Sequence, residues 1–311
     1  MRSFAQTRDV CQQDVAGRLY EGVGPGPHHG MLVLHGGGGG GRYEQEYARY
    51  LAEHGYTAFC VEYFGSTGTP DALTQIPLSY FERAIEWLID QPDVKSERVG
   101  AVGFSRGGEA ALLVGTHCER VGVVVGYVPS GLAFPAPTWM DGVDEEVAAW
   151  TVDGEPVPYI PVDEFVETSD KGLEATIEQT EAADGSGAVE GATHSQRAQA
   201  TIEVEQIDGP VLLISGGADR VWPSPALSSV AIERLAANDH PWPYQHRSFP
   251  EAGHAIRVPY RFDETDDPTT HHRFGGTNEA NAQASAEAWW TALDYLRRGL
   301  TDREECNKQL L

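Results

Sequence analysis

Short apolar runs alternate with longer amphipathic stretches through most of this chain, and the two periods divide it into elements. Residues 10–22 alternate weakly and read as an edge strand. A Gly/Pro/His turn from Gly22 to Gly30 follows, with His28 and His29 as a solvated loop pair. Met31–Leu34 is a buried strand. Arg42–His54 has helical spacing, with Tyr43, Tyr47 and Leu51 on one face and Gly55 as its C-cap. Tyr56–Phe64 is the next strand, Gly65–Pro77 a polar loop, and Leu78–Asp90 a helix with Ala84, Ile85, Leu88 and Ile89 inward. Val99–Val102 and Val121–Val128 read as strands apolar on both faces. Strands alternating with helices predict an α/β class: a mostly parallel central sheet covered on both faces.

The rhythm breaks near Ser130. Residues 131–206 are rich in Pro, Gly, Asp and Glu, and Asp184–Gly191 is of low complexity. They read as a cap or lid inserted into a core made of residues 1–130 and 207–311. Trp139, Trp150 and Tyr159 are its candidate pocket-lining or anchoring side chains. The sheet resumes at Gly209–Ser215, followed by a helix over Pro223–Asn238 and a strand over Gln245–Phe249. A terminal helix runs over Asn278–Arg298, with Ala282, Ala286, Trp289, Leu293 and Leu296 inward and Gly299 as its cap.

Charge narrows the class of partner. Forty-seven acidic residues against 22 basic ones give a net charge of −25, and lysine occurs only at 95, 171 and 308. Such a surface repels nucleic acid and anionic membranes. A salt-rich cytoplasm, as in halophiles, would account for both the acid excess and the scarcity of lysine. Cys11, Cys60, Cys118 and Cys306 form neither C-x-x-C nor a metal spacing, and Cys60 reads as a core thiol. No signal peptide and no apolar run near ~20 residues is present, so a cytoplasmic protein is expected.

The chemistry lies in the loops that follow strands. Gly103-Phe-Ser105-Arg-Gly107 is G-x-S-x-G between a strand and a helix-forming run, the setting of a nucleophile elbow. His35-Gly-Gly-Gly-Gly-Gly-Gly41 follows Met31–Leu34. It lacks the G-K-[ST] ending of a phosphate loop and matches the H-G-G-G oxyanion loop instead. The N–H of Gly37 or Gly38, with that of Arg106, would form the oxyanion hole. Gly216-Gly-Ala-Asp219 places a carboxylate after a later strand, and Pro250-Glu-Ala-Gly-His254 places a histidine after the last. Ser105, Asp219 and His254 thus occur in the chain order of α/β-hydrolases. A serine hydroxyl needs a base, histidine supplies one near neutral pH, and a carboxylate fixes its tautomer. Glu62 is a rival acid; His271 and His272 are rival bases.

The resemblance reaches further. Tyr63-Phe-Gly65, Leu78–Leu88, Val99–Glu109, Gly209–Ser224, Ala252–Tyr260 and Phe274–Trp289 together resemble the C-terminal catalytic domain of the acyl-CoA thioesterase and bile-acid-CoA:amino-acid N-acyltransferase family. That family is close to dienelactone-hydrolase-like proteins. The resemblance covers about Tyr20 to Leu296, the insertion only loosely. It implies attack on the thioester carbonyl of an acyl-CoA, acyl-CoA and fatty-acid metabolism, and no cofactor or metal. Serine as nucleophile implies hydrolysis, because the family's amino-acid acyltransferases use cysteine. Eukaryotic members carry an N-terminal β-sandwich domain, for which these 311 residues leave no room. Arg106, Arg257 and Arg261 stand in the right stretches to meet CoA phosphates, although each also reads as a structural or surface arginine. The expectation is a serine hydrolase of acyl-CoA thioesters. A carboxylesterase or dienelactone-type hydrolase is the alternative, and a catalytically idle binding protein of the same fold stands behind both.

Overall fold

The structure, a computed structural model, describes residues 5–12, 15–95, 97–161, 193–259 and 274–300. The low-complexity stretch 184–191, Tyr260, Arg261, His271, His272 and Cys306 lie outside the described residues.

An eight-stranded sheet carries the molecule, in the order β1-β2-β4-β3-β6-β7-β10-β11. Its strands are β1 (Thr7–Gln12), β2 (Val15–Tyr20), β3 (His29–Leu34), β4 (Tyr56–Glu62), β6 (Val99–Phe104), β7 (Val121–Tyr127), β10 (Val211–Gly216) and β11 (Tyr244–Phe249). The six from β4 to β11 run parallel to one another, and β2 joins β4 antiparallel. The alternating segment over 10–22, expected as one edge strand, is instead an antiparallel hairpin. β2 pairs with β4, and β1 forms the edge.

Period-two alternation divides the core. Leu32 and Leu34 point to one side, with Phe81, Leu112 and Leu235; Met31 and Val33 point to the other, with Tyr47, Leu51 and Trp289. The first side is covered by α2 (Leu78–Ile89), α3 (Arg106–His117) and α5 (Ser224–Ala237). The second is covered by α1 (Arg42–Glu53) and α6 (Asn278–Leu300). Crossovers on both faces are what a parallel sheet requires. Cys60 and Cys118 are buried and Cys11 is exposed. No helix among the described residues is long and apolar enough to cross a membrane.

Three further assignments differ from expectation. His28 is buried against the turn rather than solvated, with Nε2 4.0 Å from Asp93 Oδ1. Gly299 does not cap the last helix. It lies within α6, where a Cβ would stand 2.4 Å from Val123 Cβ and 2.6 Å from the Gly122 carbonyl oxygen. Glycine is there so that α6 can approach β7. The buried face of α6 is also turned slightly from the expected one: Ala284, Ser285, Ala288, Trp289, Ala292 and Leu296 are inward, while Ala282, Ala286 and Leu293 flank them.

Between β7 and β10 the described residues hold β8 (Trp150–Val152), β9 (Glu155–Pro156) and α4 (His194–Ala200). β8 pairs with both β9 and β5 (Ile76–Pro77) in a small second sheet.

Candidate active site

Every strand that delivers a candidate residue does so at its C-terminal end, the edge where open α/β sheets place their sites. β6 ends at Phe104, and Ser105 follows with φ 56° and ψ −118°. A non-glycine residue there is strained, by about 1–3 kcal/mol. The close approaches around it explain why the turn is glycine on both sides. A Cβ on Gly103 would lie 1.9 Å from the Gly107 carbonyl oxygen, and one on Gly107 would lie 2.3 Å from that of His35. Ser105 N–H donates to the Tyr127 carbonyl, and the Ser105 carbonyl accepts from the N–H of Gly108 and Glu109. The N–H of Arg106, first in the helix, has no intrahelical acceptor.

The neighbouring β3 runs into His35 and the glycines. Would-be Cβ atoms show the proximity: Gly36 would touch the Phe104 carbonyl oxygen at 3.1 Å and Ser105 Cβ at 3.4 Å, and Gly37 would touch Arg106 Cγ at 3.4 Å. A Cβ on Gly38 would meet nothing within 4 Å. The Gly36 carbonyl is held by His35 Nδ1 at 3.0 Å and by Gly39 N–H at 3.2 Å. In a trans peptide, the N–H of Gly37 therefore points the opposite way. His35 is buried and stacks on Tyr63 at 4.0 Å between ring centroids. Burial lowers its pKa to about 4, so the ring is neutral and Nδ1 is the donor. Burial raises the Glu44 carboxyl, opposed by hydrogen bonds from the backbone at Glu44, Gly41 and Gly36.

Asp219 and His254 meet. His254 Nδ1 lies 2.8 Å from Asp219 Oδ2, and both side chains are buried. Asp219 Oδ1 accepts from the N–H of Val221 at 2.9 Å and of Trp222 at 3.3 Å, so the carboxylate is fixed by its own turn. Glu62, the rival acid, stands at the end of β4. Among the described residues His254 Nε2 makes no hydrogen bond.

The loops bearing this pair are stitched together by the Gly275–Gly276 pair. Asp219 bridges Gly275 and Ala252 bridges Gly276. Both glycines have positive φ, 74° and 68°, which only glycine adopts cheaply. Asn281, buried in the first turn of α6, accepts from Gly253 N–H at 2.7 Å and donates to the Gly275 carbonyl. The His254 N–H donates to the Phe274 carbonyl, and the Phe274 ring stacks on the imidazole at 6.2 Å.

Arg106 is not available to a phosphate. Its side chain is buried, forms an ion pair with Glu109 at 2.9 Å, and donates to the carbonyls of Phe134 and Pro135. Burial raises the Glu109 carboxyl, with Arg106 as the main opposing influence. Arg257 lies over the rings of Tyr43 and Phe274 at 4.4 and 5.1 Å. Trp150 is a fully buried anchor, bonded through Nε1 to Glu109, whereas Trp139 is 47% exposed. Four participants escaped notice in the sequence as members of the site: Glu109, Trp222, Phe274 and Asn281. Each stands within a stretch that carried the family resemblance, but nothing in spacing or composition marks its role. Among the described residues no group of three or more His, Cys, Asp or Glu side chains could hold a metal ion.

Comparison with known proteins agrees with this architecture. Residues 76–302 match the family described as BAAT / Acyl-CoA thioester hydrolase C terminal. The chain belongs to this family. Residues 11–134 also match an alpha/beta hydrolase family of unknown function. Among curated relatives of the family, the peroxisomal succinyl-coenzyme A thioesterase of Mus musculus is 25% identical over 94% of this chain and 65% of its own length. Acyl-coenzyme A thioesterase 1 of Homo sapiens is 26% identical over 93% of this chain and 64% of its own. The chain thus spans just under two thirds of these relatives. Solved structures share the fold. A dienelactone hydrolase-like promiscuous phosphotriesterase from metagenomic libraries superposes with a TM-score of 0.55 at 15% identity, over 96% of this chain and all of that one. A puromycin-hydrolyzing peptidase of Mycobacterium tuberculosis gives 0.57 at 16% identity, over 95% of this chain and 39% of that one.

Proposed function

We propose that this chain hydrolyses acyl-CoA thioesters through an acyl-serine intermediate. The observation that carries the reading is the buried His254–Asp219 pair at 2.8 Å, on the same sheet edge as the strained Ser105 turn. Ser105 Oγ attacks the thioester carbonyl and His254 Nε2 takes its proton. Asp219 holds the imidazole with Nδ1 protonated and stabilises the imidazolium. The oxyanion is met by the N–H of Arg106 and the N–H of Gly37, favoured over Gly38 because the locked Gly36 carbonyl turns Gly37 N–H away from itself. The C–S bond breaks and the departing CoA thiolate takes the proton from His254. Water then attacks the acyl-serine, with His254 again as base, releasing the acid and restoring Ser105. We take residues 131–206, of which 162–192 lie outside the described residues, to be a cap over this edge.

A carboxylesterase or dienelactone-type activity is the second reading, favoured by one observation. The turn after Trp139 exposes Asp141, Asp144, Glu145 and Glu146, which repel the phosphates of CoA in dilute buffer. Measuring kcat/KM for acyl-CoAs beside aryl esters, in molar KCl with Ser105→Ala as control, separates the two. Acyl-CoA preference that disappears in the variant is expected. Efficient aryl-ester cleavage with negligible CoA release moves the chain to the second reading.

A further inference from the structure

The Arg106–Glu109 ion pair has consequences beyond the turn that carries it. Both charges are buried at the start of α3, and among the described residues the other hydrogen bonds of their side chains all go to residues 134–150. Arg106 Nη2 donates to the Phe134 carbonyl at 2.9 Å and the Pro135 carbonyl at 3.0 Å. Glu109 Oε1 accepts from Phe134 N–H at 3.2 Å and Trp150 Nε1 at 2.6 Å. The two legs of the segment are joined to each other, Pro135 bridging Ala148 and Ala136 N–H donating to the Val147 carbonyl. Residues 134–150 are therefore a loop with both feet on one ion pair.

The tip of this loop lies on the proposed oxyanion glycine. Met140 N–H closes a turn onto the Pro137 carbonyl, and this turn sets Trp139 Cζ2 3.5 Å and Met140 Cε 3.8 Å from where a Cβ on Gly37 would be. Trp139 nonetheless stays 47% exposed, so its indole both covers Gly37 and offers apolar surface outward. On the other flank Phe134 meets Trp222 at 5.8 Å, and Trp222 meets the His254 ring edge-on at 6.0 Å. A carbonyl bound between Gly37 and His254 has apolar side chains on both sides.

Buried ion pairs are poor sources of stability, because desolvation offsets most of the attraction. What this pair supplies is a fixed position. We propose that Trp139 is the specificity-determining wall for an apolar acyl chain, and that the Arg106–Glu109 pair positions it by holding both feet of the 134–150 loop. The inference rests on Ser105 being the acylated residue.

The test is the ratio of kcat/KM for dodecanoyl and butanoyl substrates, taken with CoA thioesters and with p-nitrophenyl esters. A ratio is independent of the fraction of enzyme folded, and the two leaving groups keep it measurable whichever of them the enzyme accepts. Trp139→Ala should lower the dodecanoyl:butanoyl ratio about tenfold through KM, the effect of losing one large apolar contact. Trp139→Phe should restore most of it. Trp150→Phe, which removes the indole N–H from Glu109, should lower the same ratio by at least about threefold. An unchanged ratio in Trp139→Ala overturns the wall. A changed ratio in Trp139→Ala with a wild-type ratio in Trp150→Phe overturns the anchor. Absence of fluorophosphonate label on Ser105 in the wild type would instead sink the reading of the site on which both depend.

Discussion

At the scale of single residues, His35 joins local chemistry to stability. Its ring is buried, its pKa is held down to about 4, and Nδ1–H fixes the Gly36 carbonyl. In the unfolded chain a histidine titrates near 6.5. Above that pH both states are neutral at this position and stability does not depend on pH through it. As pH falls from about 6.5 to about 4, the unfolded chain gains a proton that the folded chain refuses. Stability should fall by about 1.4 kcal/mol per pH step, about 3 kcal/mol over the interval. Denaturant midpoints at about pH 7 and about pH 5, compared between wild type and His35→Asn, check this. The wild type should lose more, and parallel losses would contradict it. Ser105, Asp219 and His254 stand out as candidates in the sequence because a turn, a strand end and a glycine loop each leave a short local signature, and the fold pairs the last two. Glu109 and Asn281 were not. Their partners, Trp150 at 41 residues' distance and Gly253 at 28, are brought near only by the fold.

At the scale of elements, the hydrophobic pattern gave nearly every strand and helix of the sheet, because a doubly covered parallel sheet writes continuous apolar runs. It failed where packing overrides a local rule. Gly299 reads as a helix cap by propensity, yet it sits inside α6 against β7. The two accounts disagree in sign. Propensity alone predicts that Gly299→Ala gains about 1 kcal/mol. Contact at 2.4 Å with Val123 Cβ and 2.6 Å with the Gly122 carbonyl predicts a loss of about 1–3 kcal/mol from overpacking. The thermal midpoint of the variant decides between them, and we expect it to fall. The segment over residues 131–206 had no readable rhythm for a related reason. Its described part is tied down by Arg106, Glu109 and β5, all outside it.

At the scale of the whole molecule, the net charge of −25 governs the conditions under which any of this operates. An excess of carboxylates repels itself across the surface, and most of the described ion pairs are at least partly exposed and so weak. Screening shortens the reach of that repulsion from about 10 Å at 0.1 M salt to about 3 Å at 1 M. We expect the melting temperature to rise by several degrees between dilute buffer and molar KCl. Equal midpoints would remove the case for adaptation to salt. The same screening should lower KM for an acyl-CoA while leaving that of a neutral aryl ester unchanged.

The claim on which the rest depends is that Ser105 carries the acyl group. The most direct measurement is peptide mass spectrometry after reaction with a fluorophosphonate in molar KCl, on wild type, Ser105→Ala and His254→Ala. A single adduct is expected on the peptide containing Ser105, absent in Ser105→Ala and formed far more slowly in His254→Ala. An adduct on another residue, or hydrolysis of acyl-CoA that persists in correctly folded Ser105→Ala, would contradict it.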